Sequence, residues 1–203
     1  MQAFVKVRGI AVPLAASNID TDVIMPKQFL KGIDRSGLDR GLFYHLRFDE
    51  QGSPRPGFIL NQAEWRDAAF LIAGPNFGCG SSREHAVWGL MQYGIRCIIA
   101  QSFAGIFFDN CARNGLLAIE LGEEEVRRLL DLVSSPADNV LTIDLNNETI
   151  CGRGLEIDFE IDPIRKDSLL KGLDAVGQTL EFRDEIRTFE RNYLRENPWL
   201  EQK

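Results

Sequence analysis

The chain has 203 residues, 44% hydrophobic and 26% charged, so it is long enough to bury a substantial core. Acidic residues outnumber basic ones by 30 to 23, and the net charge of -7 disfavours a nucleic-acid surface. The four cysteines, at positions 79, 97, 111 and 151, show no close pairing, which favours a reducing cytoplasmic compartment over a disulfide framework. No run of eighteen apolar residues occurs, so no membrane-spanning helix is expected.

Hydrophobic patterns predict alternating strands and helices through the first two thirds of the chain. In chain order we expect a strand around residues 9–16, a strand over 68–73, a helix over 82–93, a strand over 95–100, a helix over 103–113, a strand over 116–121 and a helix over 123–133. Near-continuous apolar runs in the strands over 68–73 and 95–100 are typical of strands buried on both faces.

The pattern changes in the last third of the chain. Apolar stretches over 140–145 and 149–151, joined by a turn at Asn146 and Asn147, predict a hairpin, and 155–161 alternates as a further strand. Together these elements predict an α/β fold class, with a mixed sheet flanked by helices in one domain spanning residues 1–203.

Two regions stand apart from this regular pattern. Residues 31–57 are rich in glycine, proline and charge, and a loop this long is usually functional, although a solvated insertion fits equally well. Residues 175–200 predict a helical tail whose charged helix carries an apolar stripe for docking. The stripe consists of Phe182, Ile186, Phe189 and Tyr193.

The segment richest in chemistry covers residues 74–85 (GPNFGCGSSREH), between a buried strand and a helix. Its glycines allow a sharp turn with positive φ, and the first N–H groups of the helix would be free to hold an anion. Arg83 adds a bidentate fork for a carboxylate. Ser81 and Ser82 lie where helix amides could stabilise an alkoxide, which a serine needs in order to act as a base.

Other interpretations of this segment are possible. Ser81 or Ser82 could simply cap the following helix. A dinucleotide-binding site is disfavoured because Arg83 stands where the glycine-rich fingerprint of such sites needs its third glycine. The nucleophile elbow of a serine hydrolase is disfavoured because the sequence Gly-x-Ser-x-Gly is absent. Cys79 is best interpreted as a small neighbour of the glycines, and His85 as a residue that stabilises the local turn rather than a metal ligand.

Two motifs resemble the swivel domain of the aconitase superfamily. Residues 80–86 (GSSREHA) resemble the signature of that domain, and residues 18–26 (NIDTDVIMP) resemble its N-terminal partner motif. The similarity continues through 101–104 (QSFA), 114–117 (NGLL), 159–163 (FEIDP) and 169–174 (LLKGLD). The last two motifs, with the length of the loop after Phe29, are similar to the small subunits of bacterial 3-isopropylmalate dehydratases. Val87 and Ala118 replace prolines common in that family, which leaves open a paralogue acting on a citraconate, methylmalate or homoaconitate type of substrate.

The resemblance implies a single swivelling β/β/α domain, like the C-terminal domain of aconitase, in a cytoplasmic heterodimer. A large subunit would carry a 4Fe-4S cluster, and this chain would carry no metal or cofactor of its own; its cysteines lack cluster-ligand spacing. The implied activity is that of a hydro-lyase, which isomerises 2-isopropylmalate to 3-isopropylmalate by dehydration and rehydration in leucine biosynthesis. The implied partners are the large subunit and a small dicarboxylate, without nucleic acid or membrane. The alternative is a stand-alone module that binds a small molecule.

The resemblance also implies roles for individual residues. By motif position, Ser81 is the base that removes a proton from the substrate, and Ser82 and Arg83 hold a substrate carboxylate. Asp22 and Thr21 correspond to polar, substrate-binding residues of the N-terminal motif, although an aspartate in Asp-Thr-Asp can equally cap a turn.

The long loop over 31–57 is expected to determine substrate choice. We expect it to be mobile without the partner and to close over the substrate with it. Apolar side chains such as Phe29, Leu30 or Ile33 would then face the isopropyl group, while Lys27 or Lys31 could bind a carboxylate.

Overall fold

The computed structural model describes residues 1–31, 35–81 and 83–200. Its strands are β1 (Lys6–Leu14), β2 (Ala68–Ala73), β3 (Cys97–Ala100), β4 (Leu117–Glu120), β5 (Val140–Asp144), β6 (Thr149–Gly152) and β7 (Leu155–Asp158). They form one seven-stranded sheet in the order β4-β3-β2-β1-β5-β6-β7. The first four strands are parallel, and β5 to β7 are added in antiparallel pairing. The predicted α/β class with a mixed sheet is therefore confirmed.

Helices connect and cover these strands. They are α1 (Thr21–Ile24), α2 (Tyr44–Arg47), α3 (Glu84–Tyr93), α4 (Gly105–Asn114), α5 (Glu123–Val133), α6 (Pro163–Lys171), α7 (Ala175–Glu181) and α8 (Arg183–Glu196). Short 3-10 helices cover Lys27–Lys31, Leu38–Gly41, Ile59–Asn61, Ala63–Trp65 and Pro198–Leu200. In the part of the chain that the structure describes, no helix has the length and apolar character needed to cross a membrane.

The sheet is buried on both faces because apolar side chains fill both sides of the parallel strands. On β2, Leu71 and Ala73 belong to the core layer that contains α3 and α4. Phe70 and Ile72 belong to the opposite layer, which contains α5 and the antiparallel strands. This two-sided core gives the turns after β1, β2 and β3 a rigid base.

The prediction of an irregular region over residues 31–57 is partly wrong. The region contains α2 and the Leu38–Gly41 helix, and it buries Leu38, Leu42 and Phe43 in the core. The backbone N–H of Leu38 donates to the side-chain oxygen of Gln92 on α3 at 2.8 Å. These helices are only four residues long, so glycine and charge around them hid their apolar pattern.

The helical tail predicted over residues 175–200 forms α7 and α8, but its apolar stripe does not pack into the fold. The exposed fractions are 62% for Phe182, 43% for Ile186, 69% for Phe189 and 46% for Tyr193. The expectation that this stripe docks is therefore wrong for the chain by itself. An amphipathic pattern shows that a helix has an apolar face, but it does not identify what covers that face.

Candidate functional site

The two motifs identified in the sequence meet at one edge of the sheet. Because β1 and β2 are parallel, the segments that follow them leave the sheet side by side. Three backbone hydrogen bonds join these segments, from Asn18 N–H to Pro75 C=O at 2.9 Å, from Gly78 N–H to Ile19 C=O at 2.8 Å and from Thr21 N–H to Cys79 C=O at 2.8 Å. The chain after β3 adds a third segment, since Ala104 N–H donates to Phe77 C=O at 3.0 Å.

Glycines allow this close packing of backbones. A Cβ atom added at Gly74 would lie 2.5 Å from the carbonyl oxygen of Ala15, too close for any side chain. Gly78 has a φ of 77°, and a Cβ atom there would lie 2.2 Å from the Phe107 ring. At these two positions the turn therefore requires glycine because a side chain would collide with neighbouring atoms.

The centre of the site is the guanidinium group of Arg83. Its Nη2 donates to Ser81 Oγ at 2.9 Å, and its Nη1 donates to Asp22 Oδ1. The ammonium group of Lys27 lies 3.8 Å from the second carboxylate oxygen of Asp22. Charged donors directed at a serine oxygen favour the alkoxide over the alcohol, and the alkoxide is the form in which a serine can act as a base.

The alternative in which Ser81 only caps a helix is wrong. Helix α3 begins at Glu84, and the capping position is occupied by Arg83, whose side chain makes no capping hydrogen bond in the described structure. The hydroxyl oxygen of Ser81 accepts a hydrogen bond from Arg83 instead. Ser81 itself is exposed at the end of the turn, where a ligand can reach it.

Thr21 is positioned differently from the sequence expectation. Its side chain is only 1% exposed, and its hydroxyl donates to the Ser81 carbonyl and accepts from the Ser81 N–H, both at 3.1 Å. A hydroxyl has one proton to donate, and that proton is already used. The expected direct contact between Thr21 and substrate therefore does not fit this geometry.

The remaining predicted site residues are less well placed. Lys27 is exposed at the start of the 3-10 helix Lys27–Lys31. Ser82, Ile33 and the side chain of Lys31 lie outside the described residues, so their predicted contacts stay predictions.

Sequence reasoning missed a polar link between α3 and α4. Asn114 accepts from the indole N–H of Trp88 at 2.8 Å and donates to the carboxylate of Glu84 at 3.2 Å. Glu84 follows Arg83 directly, so this link holds the start of α3 against α4. The only sign of this link in the sequence was the motif over residues 114–117. His85 packs against Trp88 in a tilted arrangement, with ring centroids 4.7 Å apart, as expected of a residue that stabilises local structure.

The cysteines do not fit an iron–sulfur cluster. Cys97 and Cys111 are fully buried, and burial raises the pKa of both thiols above the usual range. Cys79 contributes its carbonyl oxygen to the pairing with Thr21. Within residues 1–31, 35–81 and 83–200, no group of three or more His, Cys, Asp or Glu side chains could hold a metal ion.

Comparison with known proteins agrees with the geometry. Residues 1–124 match the model of the aconitase C-terminal domain, and residues 176–203 match that of the C-terminal domain of the 3-isopropylmalate dehydratase small subunit. A relative from Mannheimia succiniciproducens, named 3-isopropylmalate dehydratase small subunit 1, is 56% identical over 98% of this chain and 99% of its own. This chain belongs to the 3-isopropylmalate dehydratase small subunit family.

Further comparisons support this assignment. A small subunit from Phenylobacterium zucineum is 52% identical over 99% of each chain. The crystal structure of 3-isopropylmalate dehydratase from Methanocaldococcus jannaschii matches with a TM-score of 0.66 at 27% identity, over 91% of this chain and 99% of that one. The resemblance to the aconitase superfamily and to these small subunits is therefore confirmed, and so is the aconitase-like fold.

Proposed function

We propose that this chain is the small subunit of a 3-isopropylmalate dehydratase, which converts 2-isopropylmalate to 3-isopropylmalate in leucine biosynthesis. The observation that carries the proposal is the Arg83 guanidinium, which holds Ser81 Oγ and Asp22 together at the edge of the sheet. The relatives that match over nearly the whole chain bear this enzyme's name. The enzyme is a hydro-lyase, and this chain supplies one part of its active site.

The chemical role of this chain is proton transfer by Ser81. The deprotonated Ser81 oxygen accepts the proton from substrate carbon 3, and a carbon–carbon double bond forms as the hydroxyl group leaves carbon 2. The cluster on the large subunit would supply the Lewis acid for the departing hydroxyl group. In rehydration the hydroxyl group adds to carbon 3, and Ser81 returns a proton to carbon 2. Arg83 stabilises the negative charge that the Ser81 oxygen carries before it accepts the proton and after it returns it, and Asp22 holds Arg83 in position.

Carboxylate binding is the second role that we propose. Arg83 has five N–H donors, and in the described part of the chain two groups, Nη1 and Nη2, donate to Asp22 and Ser81, so other N–H groups can reach a substrate carboxylate. The Lys27 side chain is 75% exposed and lies on the other side of Asp22, where it can pair with a second carboxylate. Ser82 and Lys31 are proposed to add further contacts on the strength of the family motif alone.

A large subunit is proposed to cover the site in the cytoplasm and to carry the 4Fe-4S cluster. Ser81 is exposed, and the Asp22 side chain is 45% exposed, so the site is a surface rather than an enclosed pocket. Small-molecule sites usually enclose most of their ligand. This openness favours half of a shared active site over a stand-alone binding module.

The experiment that tests the function is reconstitution. We expect the purified chain to be colourless, free of stoichiometric iron and inactive on 2-isopropylmalate, and the chain mixed with its large subunit to be active. Iron and absorbance are measured on each subunit alone, and turnover on the mixture. Turnover with bound iron in this chain alone would contradict the proposed division of roles, and tight substrate binding without the partner would favour the stand-alone module.

We also propose that the region around residues 31–57 recognises the alkyl group of the substrate. Phe29 is packed against Tyr44, with ring centroids 5.0 Å apart, and Leu30 is partly buried against the same core. Loss of one or two buried methyl contacts reduces discrimination by roughly 10-fold to 200-fold. Leu30→Ala is therefore expected to lower kcat/KM for 2-isopropylmalate more than for citramalate, with the exposed Val176→Ala as control. An unchanged ratio between the two substrates would contradict this role.

A further inference from the structure

Within its own motif, Ser81 is held by Arg83, whose backbone N–H donates to the Ser81 carbonyl and whose side chain donates to Ser81 Oγ. It is exposed, and it follows Gly80, whose φ of 94° lies in the region that favours glycine. A base must be held close to the proton that it removes, because a misplacement of about 1 Å can cost on the order of a hundredfold in rate. Further support of the Ser81 backbone from another part of the chain would therefore affect the rate.

The hydroxyl of Thr21 provides that support. It donates to the Ser81 carbonyl and accepts from the Ser81 N–H, so a single oxygen holds both backbone polar groups of one residue. The Ser81 carbonyl also accepts from the Arg83 N–H at 2.9 Å. Holding both polar groups of Ser81 constrains its backbone angles, which place its Cβ atom, and the bond from Arg83 then sets the direction of Oγ.

Thr21 is itself firmly anchored. It is the first residue of α1, its N–H donates to Cys79 C=O at 2.8 Å, and its C=O accepts from Met25 N–H at 2.9 Å. Asp20 caps the same helix by accepting from Val23 N–H at 2.7 Å. Because the Thr21 side chain is 1% exposed, solvent cannot replace the two bonds that it makes to Ser81.

We propose that Thr21 is a positioning residue for the base Ser81 and that it does not bind the substrate. This inference rests on the proposed function, because it assigns Thr21 a part in proton removal. A purely structural role of Thr21 would affect the stability of the fold. A positioning role predicts instead that removing the Thr21 hydroxyl lowers kcat only while Ser81 is present. It also differs from substrate binding, which would raise KM and leave kcat unchanged.

The test uses the enzyme reconstituted with its large subunit and compares Thr21→Val, Thr21→Ser and Ser81→Ala with the double variant Thr21→Val/Ser81→Ala. Valine keeps the shape of threonine without its hydroxyl, so we expect kcat to fall roughly tenfold to a hundredfold with little change in KM. Serine restores the hydroxyl and should restore most of the rate. In the Ser81→Ala background, Thr21→Val should cause no further loss, because both act on one step.

Controls separate the possible outcomes. Thr188→Val removes a hydroxyl that donates to Asp184 C=O at 2.8 Å within the exposed helix α8, and should leave kcat unchanged. If Thr21→Val does not fold, Thr21→Cys replaces it, since a thiol fills the site but bonds weakly. A raised KM at constant kcat, a lowered Tm with normal kcat, or an additive loss in the double variant would each overturn the proposal. Full activity of Ser81→Ala would instead overturn the proposed function itself.

Discussion

The segment that holds Ser81 and the C-terminal helix α8 both lie at the surface, yet their side chains are held very differently. Around Ser81, the side chains of Thr21, Asp22 and Arg83 all bond to partners from the other motif. On α8, Phe189 is 69% exposed and stacks on the exposed ring of Tyr193 from its own helix. The comparison teaches that local order at the site comes from bonds within this chain, whereas the apolar face of α8 adds little to the chain's own stability.

Among changes near the site, the largest loss of stability is expected where the segments that follow β1 and β2 pack against each other. A Cβ atom at Gly74 would meet the backbone oxygens of Ala15 and Ala16 at 2.5 and 2.6 Å, and backbone cannot move aside as a side chain can. We expect Gly74→Ala to lower the free energy of unfolding by on the order of 3 kcal/mol. Denaturant unfolding measures this, with Gly57→Ala as the matched control because nothing lies within 4 Å of its Cβ position. Equal stability of the two variants would show that the segments after β1 and β2 are not tightly packed against each other.

A second prediction concerns the planar group at the centre of the site. Arg83→Lys keeps the positive charge but loses the fork that bonds Ser81 Oγ and Asp22 together. We expect KM for 2-isopropylmalate to rise about tenfold, and kcat to fall as well, in the reconstituted enzyme. Arg187→Lys in the exposed helix α8 is the control. Unchanged kinetics of Arg83→Lys would mean that a positive charge is sufficient at this position and that the planar shape of the guanidinium group is not required.

The smallest effect is expected on the tail. Phe189→Ser removes an apolar ring that is already in solvent, so the free energy of unfolding should change by less than about 0.5 kcal/mol. Phe107→Ala, at a ring that is 2% exposed and packs against Phe77, should cost about 3–5 kcal/mol by comparison. A large loss in Phe189→Ser would show that α8 is packed in solution and would remove the contrast between the two regions.

Much of the fold could be predicted because its strands and helices are long enough to show their periods. The site was also within reach, since residues 18–26 and 80–86 each follow a strand of the parallel sheet, and Ser81, Arg83 and Asp22 do lie together. Position in a motif indicates closeness but not hydrogen-bond partners. The bonds of Thr21 join residues 60 positions apart through backbone groups, which no side-chain pattern reports.

The buried helix Leu38–Gly41 was missed for a different reason. A four-residue helix shows scarcely one turn, so it has no period to detect, and Leu38 stands among glycines and charges. Its burial depends on contacts with α3, in particular the bond to Gln92. Only the tertiary structure could show that this part of the loop belongs to the core.

The central claim is that Ser81 of this chain removes the substrate proton, and Ser81→Ala tests it most directly. The reconstituted variant should lose about a hundredfold or more in kcat, with a Tm, an affinity for the large subunit and a KM close to those of the wild type, because the turn and Arg83 remain. Exchange of the hydrogen on carbon 3 of 2-isopropylmalate with deuterated solvent should fall in the same proportion. Near-normal turnover or hydrogen exchange by a folded, assembled Ser81→Ala enzyme would contradict the account.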